Sequence, residues 1–341
     1  MTPDFTPNPA RPRLGPGAEF DLIRRFLPHA PRLGREDVAV GPGDDCAVLA
    51  GSGIALSVDL SIEGIHFRRD WLSAHEIGCR ATSAALSDLA AVAARPVGVL
   101  ISLAVSEDDA DAFAVQVMEG VRSAVERVGG VVLGGDLTRS PGPAVLDITV
   151  VGEAKNPVLR SGARPGDEVW VTGALGAAAV TIVRLLRNEV PHPSAADRFA
   201  CPLPRLAEAQ WLAGRELATA MIDLSDGLAG DAGHLMSASG VSILLDRSAI
   251  PIHEAVFEDT AGEEDALSYA LGGGEDYELC FTAPPTSVQP QADEFEEEFG
   301  IALTRVGVVE KGEGLFWLEQ DGSRTVLEMG GFDHFRAAPE D

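Results

Sequence analysis

Six short stretches of this chain place aspartate beside glycine, serine or a second aspartate where one run of residues gives way to the next. They are GPGDDC (41–46), SVDLSIEGIHF (57–67), LSDLAA (86–91), LGGDLT (133–138), IDLSDGL (222–228) and LGGGEDYEL (271–279). Taken singly, Gly-Asp and Asp-Gly steps mark turns. Some positions ask for more. Asp88 sits inside an Ala-rich helical stretch, on or near a small-residue face that should pack; an ionised carboxylate is costly there unless a cation or several donors meet it. Asp59 interrupts the apolar strand pattern IALSVDL, against β propensity. Asp223 and Asp226 flank Ser225 just before a helix, where capping and ligand roles compete evenly. If Asp45, Asp59, Asp88, Asp136, Asp223 and Asp226 converge, they form an oxygen-only set suited to Mg²⁺, whereas zinc or copper would call for His or Cys.

Such a site would bridge substrate phosphates, and the remaining composition fits that chemistry better than any lysine-based one. Among 341 residues there are 26 Lys and Arg against 53 Asp and Glu, a formal charge of −27, and the only lysines are Lys155 and Lys311. No GxxxxGK[ST] loop and no kinase-type lysine strand exists. Phosphates would instead be held by metal ions and the N–H groups of Gly-rich turns, assisted by Arg160 and Arg139. The same negative charge argues against nucleic acid and anionic membranes as partners. No run approaches the ~18 apolar residues of a membrane span, and the Pro-rich start lacks a signal-peptide core. The four cysteines show no CxxC or zinc spacing and read as buried thiols in a reducing, cytoplasmic setting.

The elements that must position these residues alternate strand and helix, an α/β (α+β) pattern. A Pro-rich start (1–17) precedes a helix on which Phe20, Ile23, Phe26 and Leu27 share a face. A hairpin follows around Gly-Ser-Gly (51–53), then a helix over 74–94, a strand over 97–105, a helix over 107–128 and strands near 131–136 and 144–154. The Pro- and Gly-bearing stretch 155–167 reads as a linker. It divides an 18–154 domain from a 155–341 domain, the latter with helices near 175–189, 204–219, 227–240, 262–271 and 291–299 among further strands. GALG (173–176) reads as a helix entry, with an anion loop as the weaker alternative. The acidic stretches around Glu258, Asp259, Glu263 and 293–298 read as solvated faces.

Read in order, GDDCAVL, VDLSIEGIHF, SDLAAV, GGDLTR, RSGARPGDEVWVTG, IDLSDGL, GGGEDYELCFT and GFDHF resemble the thiamine-monophosphate kinase family, of the aminoimidazole ribonucleotide synthetase-like superfamily, over nearly the whole chain. The resemblance implies ATP-dependent, Mg²⁺-assisted transfer of the γ-phosphoryl group onto thiamine monophosphate, giving thiamine diphosphate, the last step of its biosynthesis. It implies a homodimer whose N-terminal sheets pair into a barrel. It assigns Asp45, Ser57, Asp59, Asp88, Asp136, Asp223 and Asp226 to several Mg²⁺ ions, Gly135, Asp136, Arg160 and Ser225 to ATP, and His66, Glu275 and Met329 to the thiamine phosphate. Met329 and Met118 stand where relatives carry aromatics, and Val58 where a hydroxyl residue is common. Because a phosphate acceptor is already anionic near pH 7, no residue is expected to act as general base. Residues 1–45 lack the cysteine that a selenophosphate-forming relative requires.

Overall fold

The structure is a computed structural model and describes residues 38–41, 43–260, 262–319 and 321–327. The expected first helix, Met329 and the GFDHF segment lie outside the described residues.

In the N-terminal half, β1 (Val38–Val40), β2 (Ala47–Leu49), β3 (Ile54–Ile62), β4 (Arg95–Val105), β5 (Val131–Arg139) and β6 (Val145–Glu153) form one sheet in the order β1-β2-β3-β6-β4-β5. Helices α1 (Ala74–Ala91) and α2 (Ala112–Arg127) pack on each other and on one face of it. Strand alternation decides which residues meet the helices. On β3, Ser57 and Asp59 pair across to Val150 and Ile148 of β6, both buried, so these polar residues point to the helix side. Val58 between them is 60 % exposed on the other face, joined there by Leu60 and, across β6, by Leu100. Helix α1 opens with a capping box in which Ser73 and Glu76 satisfy each other's backbone N–H groups. Its alanines let it lie close to the sheet and carry Asp88 toward Ser57. The edge strand β5 runs parallel to β4, and at Gly135 the backbones come so close that a Cβ would strike the Ile101 carbonyl.

The C-terminal half holds β7 (Glu168–Thr172), β8 (Ala220–Asp223), β9 (Ser242–Asp246), β10 (Leu279–Ala283), β11 (Leu303–Glu310), β12 (Gly314–Leu318) and β13 (Arg324–Val326), in the order β13-β12-β9-β11-β7-β10-β8. Pairings are antiparallel except β9 with β12. Helices α3 (Ala177–Leu186), α4 (Pro193–Ala200), α5 (Leu206–Gly214), α6 (Leu228–Ser239), α7 (Glu254–Phe257), α8 (Glu263–Gly272) and α9 (Ala292–Phe299) surround it. One apolar cluster runs through both halves, from Leu86, Leu89 and Ile148 to Trp170, Phe281 and Phe295, with Trp211 edge-on to Phe295 at 5.3 Å.

Three expectations need correction. Cys79 and Cys201, expected as separate thiols, are joined as a disulfide with Cα atoms 5.4 Å apart, because α1 and the end of α4 are packed together; Cys46 and Cys280 are free and buried. The helix expected over 204–219 ends at Gly214, and Ala220–Asp223 beyond it is a fully buried strand at the edge of the second sheet, paired with β10. Asp259 is not solvated: its side chain is 5 % exposed and accepts from Arg187 and the Tyr269 hydroxyl.

Candidate active site

The site grows from four pieces of chain. The 43–46 turn supplies Asp44 and Asp45, β3 supplies Ser57 and Asp59, α1 supplies Asp88, and the end of β8 with the loop into α6 supplies Asp223 and Asp226. One carboxylate oxygen each from Asp45, Asp88 and Asp223 fall within 4.8 Å of one another, and Ser57 Oγ donates to Asp88 Oδ2 at 2.5 Å. A second group adjoins it: Asp226, Asp231 and His234 bring their ligand atoms within the same 4.8 Å limit, with Asp231 also accepting from the Asp226 N–H at 3.1 Å.

Electrostatics show what this crowding costs. Loss of solvation, then the carboxylates of Asp223, Asp59 and Asp45, push the Asp88 carboxyl well above its ordinary range, against the hydrogen bond from Ser57. Burial, then Asp45, raises Asp223 to about 7, and burial with Asp45 does the same to Asp44. Burial, then Asp226 and Asp223, raises Asp231. The cation that reaches Asp45 directly is Arg160, whose Nε and Nη2 donate to its two oxygens at 2.8 and 2.5 Å while its backbone N–H donates to Asp44. Burial would lower the Arg160 pKa, but Asp45 and Asp44 outweigh it and keep the guanidinium charged. One arginine does not balance so many carboxylates, and desolvated oxygen donors without enough positive charge are what a hard divalent cation satisfies. The residues therefore fit Mg²⁺.

The segment 275–278 is laced to the 224–227 loop. Glu275 N–H donates to the Ser225 carbonyl at 2.8 Å, Tyr277 N–H to Leu224 at 2.9 Å, and Leu224 N–H to Glu278 at 2.8 Å, prolonging the β8–β10 pairing. Gly274, at φ +65, allows this, since a Cβ there would strike the Ser225 carbonyl. Glu275 and Tyr277 take left-handed backbone conformations at φ 59° and 50°, a cost borne only where surroundings demand it. The Glu275 carboxylate lies 2.5 Å from Arg80 of α1. Asp276 accepts from the Gly176 N–H at 2.8 Å and so fills the N-terminus of α3 itself; GALG is a helix entry. Burial pushes Asp276 up to about 7.

Of the remaining expected residues, His66 is fixed by its Nδ1 accepting from the Ile62 N–H at 3.1 Å. Gly135 and Asp136 lie on β5 and line a cavity of 670 Å³ with Met118, Glu119 and Arg122; Asp136 belongs to neither carboxylate group. Arg139 is exposed and pairs with Glu107. Asp44, Asp231, His234 and Arg80 were not anticipated. Asp44 stood in plain view beside Asp45, and the i, i+3 spacing of Asp231 and His234 on one helix face was a readable signal.

Residues 43–154 match the family described as AIR synthase related protein, N-terminal domain, and residues 164–317 match its C-terminal domain. Fold and matches together define an AIR synthase-related protein. Within that class, the thiamine-monophosphate kinase of Escherichia coli K12 is 35% identical over 327 residues, covering 93% of this chain and 98% of that one. The enzyme of the same name from Bacillus subtilis is 31% identical over 330 residues, covering 93% and 99%. The solved structure of AaThiL complexed with AMPPCP and TMP superposes with a TM-score of 0.78 at 31% identity, covering 94% and 97%. The chain belongs to the thiamine-monophosphate kinase family.

Proposed function

We propose that this chain transfers the γ-phosphoryl group of ATP to the phosphate of thiamine monophosphate, releasing ADP and thiamine diphosphate. The observation that carries this is the convergence of Asp45, Asp88 and Asp223 within 4.8 Å, desolvated and short of positive charge, beside Arg160. Asp45, Ser57, Asp59, Asp88, Asp223 and Asp226 would hold Mg²⁺ there, with Asp136 reaching a metal from β5. When bound, the metal neutralises phosphate charge, the main demand of a loose phosphoryl-transfer transition state.

The chain's own residues do the rest. Arg160, held charged by Asp45 and Asp44, offers its guanidinium to ATP, and Gly135 and Asp136 present the β5 backbone beside the cavity that would take the nucleotide. Ser225 lies between Asp223, the last residue of β8, and Asp226 on the loop that follows. Glu275 and His66 would face the acceptor, the role that the resemblance also gives to Met329. His66 accepts at Nδ1 from Ile62, so its ring proton is on Nε2 and it serves as a donor to an anionic ligand. No general base is needed, since the acceptor phosphate is already ionised near pH 7. His66→Ala is accordingly expected to weaken binding of thiamine monophosphate; abolished kcat with both substrates still bound would contradict this.

We further infer two units, 18–154 and 155–341, and a homodimer. The uncovered sheet face bearing Val58, Leu60 and Leu100, together with the open edge at β5, supports a second copy closing a barrel there. The test is an assay of ADP and thiamine diphosphate formation with Mg²⁺. Turnover that needs both substrates and is lost in Asp88→Asn with the fold intact supports the reading. Metal binding without any phosphoryl transfer would replace it with a metal-buffering role.

A further inference from the structure

Arg80 is buried to 4 % exposure in the middle of α1, on a helix otherwise lined with alanines, and it takes no part in either carboxylate group. Its two arms reach in different directions. Nη2 lies 2.5 Å from Glu275 Oε1, while Nη1 donates to the Phe199 carbonyl at the end of α4. The guanidinium also stacks over the Phe199 ring, its carbon 4.1 Å from the ring centroid. Phe199 is itself tied back to α1, since Cys201 two residues on is bonded to Cys79, the neighbour of Arg80. The arginine is thus gripped from behind and presents one arm forward.

The forward arm meets a carboxylate that needs an external anchor. Glu275 follows three consecutive glycines and holds a left-handed backbone. Its N–H is fixed by the Ser225 carbonyl, and among the described residues its carboxylate pairs with Arg80. The Glu275 side chain stays 30 % exposed, so part of it is available to a ligand. A three-torsion side chain left unanchored would otherwise lose its rotamer freedom at the moment of binding.

We propose that Arg80 is the positioning residue that sets the Glu275 carboxylate for thiamine monophosphate, bracing it from α1 against Phe199. The inference rests on the reading of Glu275 as an acceptor-site contact. Losing a pre-set contact weakens ground-state and transition-state binding together, which shows in KM and leaves kcat in place. Arg80→Gln is expected to raise KM for thiamine monophosphate about tenfold, with kcat and KM for ATP within about threefold. Glu275→Gln should give a rise of similar size, and the double variant should be no worse than either single one, since both remove one interaction. Arg80→Lys, which keeps a charge within reach of Glu275, should recover most of the affinity even if its Tm is lower.

Several outcomes would overturn the proposal. If Glu275→Gln raises KM for thiamine monophosphate but Arg80→Gln lowers only the Tm, Arg80 merely braces α4 and the acceptor-site reading survives. Additive effects in the double variant, or a Lys variant as weak as the Gln variant, would also defeat it. If Glu275→Gln leaves KM for thiamine monophosphate unchanged, the role of Glu275 fails and the positioning role fails with it.

Discussion

Around Asp88, carboxylates from a turn, a helix and a strand end crowd together with Arg160 among them, while in the segment 275–278 every carboxylate has a partner of its own. Glu275 meets Arg80, Asp276 closes the N-terminus of α3, and Glu278 receives Arg205 at 2.8 and 2.5 Å, Arg198 at 3.3 Å and the Thr172 hydroxyl at 2.7 Å. Both sets are carboxylates largely withdrawn from water, Glu275 least so. The second is neutralised within the fold and belongs to its architecture. The first has been left short of cations, which is a standing cost to the folded state unless something binds. Acidity alone therefore does not mark a site; acidity without compensation does.

That contrast can be broken at several points. The largest expected effect is on rate: Asp88→Asn should lower kcat by about a thousandfold or more, roughly 4 kcal/mol of transition-state stabilisation, while the metal-free Tm stays level or rises because a crowded charge is gone. A matching loss of Tm would mean that Asp88 is structural after all. Glu278→Gln should do the reverse, costing about 3–5 kcal/mol of stability by leaving Arg205 unpaired, with kcat per folded molecule retained. Chemical denaturation run beside the assay separates the two.

Next in size is the response to metal. Mg²⁺ without nucleotide should raise the Tm of the parent by an amount equivalent to about 2–3 kcal/mol at 100 times Kd, and Asp223→Asn should abolish most of that rise. An undiminished rise would place the ion elsewhere.

A last effect is read in the pH dependence of stability and concerns Asp276. Its carboxyl keeps a proton up to about 7 in the folded chain, against 3.8 for the ordinary group. Between those values the folded state binds more protons than the unfolded one, so this group makes stability fall as pH rises and adds nothing further above about 7. Asp276→Asn, which preserves an acceptor for the Gly176 N–H, should match the parent near pH 4 and lose this component of the decline toward pH 8. A decline unchanged in the variant would assign the slope to other groups.

Much of this was legible in sequence because it is local. Period-two alternation in IALSVDL and the Ala-rich run around Asp88 mark β3 and α1, and the cost of a carboxylate in such a helix already pointed to a cation. What escaped is what depends on distant chain. AMID is too short to tell a buried strand from the end of a helix until β10 pairs with it. PHPSAADRFA carries prolines that suit the first turn of α4 as well as a loop. Arg80 looked like an ordinary helix residue because Phe199, 119 positions away, and Glu275 define its role only after folding. For the same reason the four cysteines gave no pairing signal.

The Cys79–Cys201 bond spans 122 positions and joins the segment matched by one family domain to the segment matched by the other. Its largest influence is then on a state that is never drawn. A closed loop of that order removes conformations from the denatured ensemble worth about 4–5 kcal/mol in the chain-entropy view. Reduction should accordingly lower the free energy of unfolding while leaving the native packing of α1 against α4 much as it is.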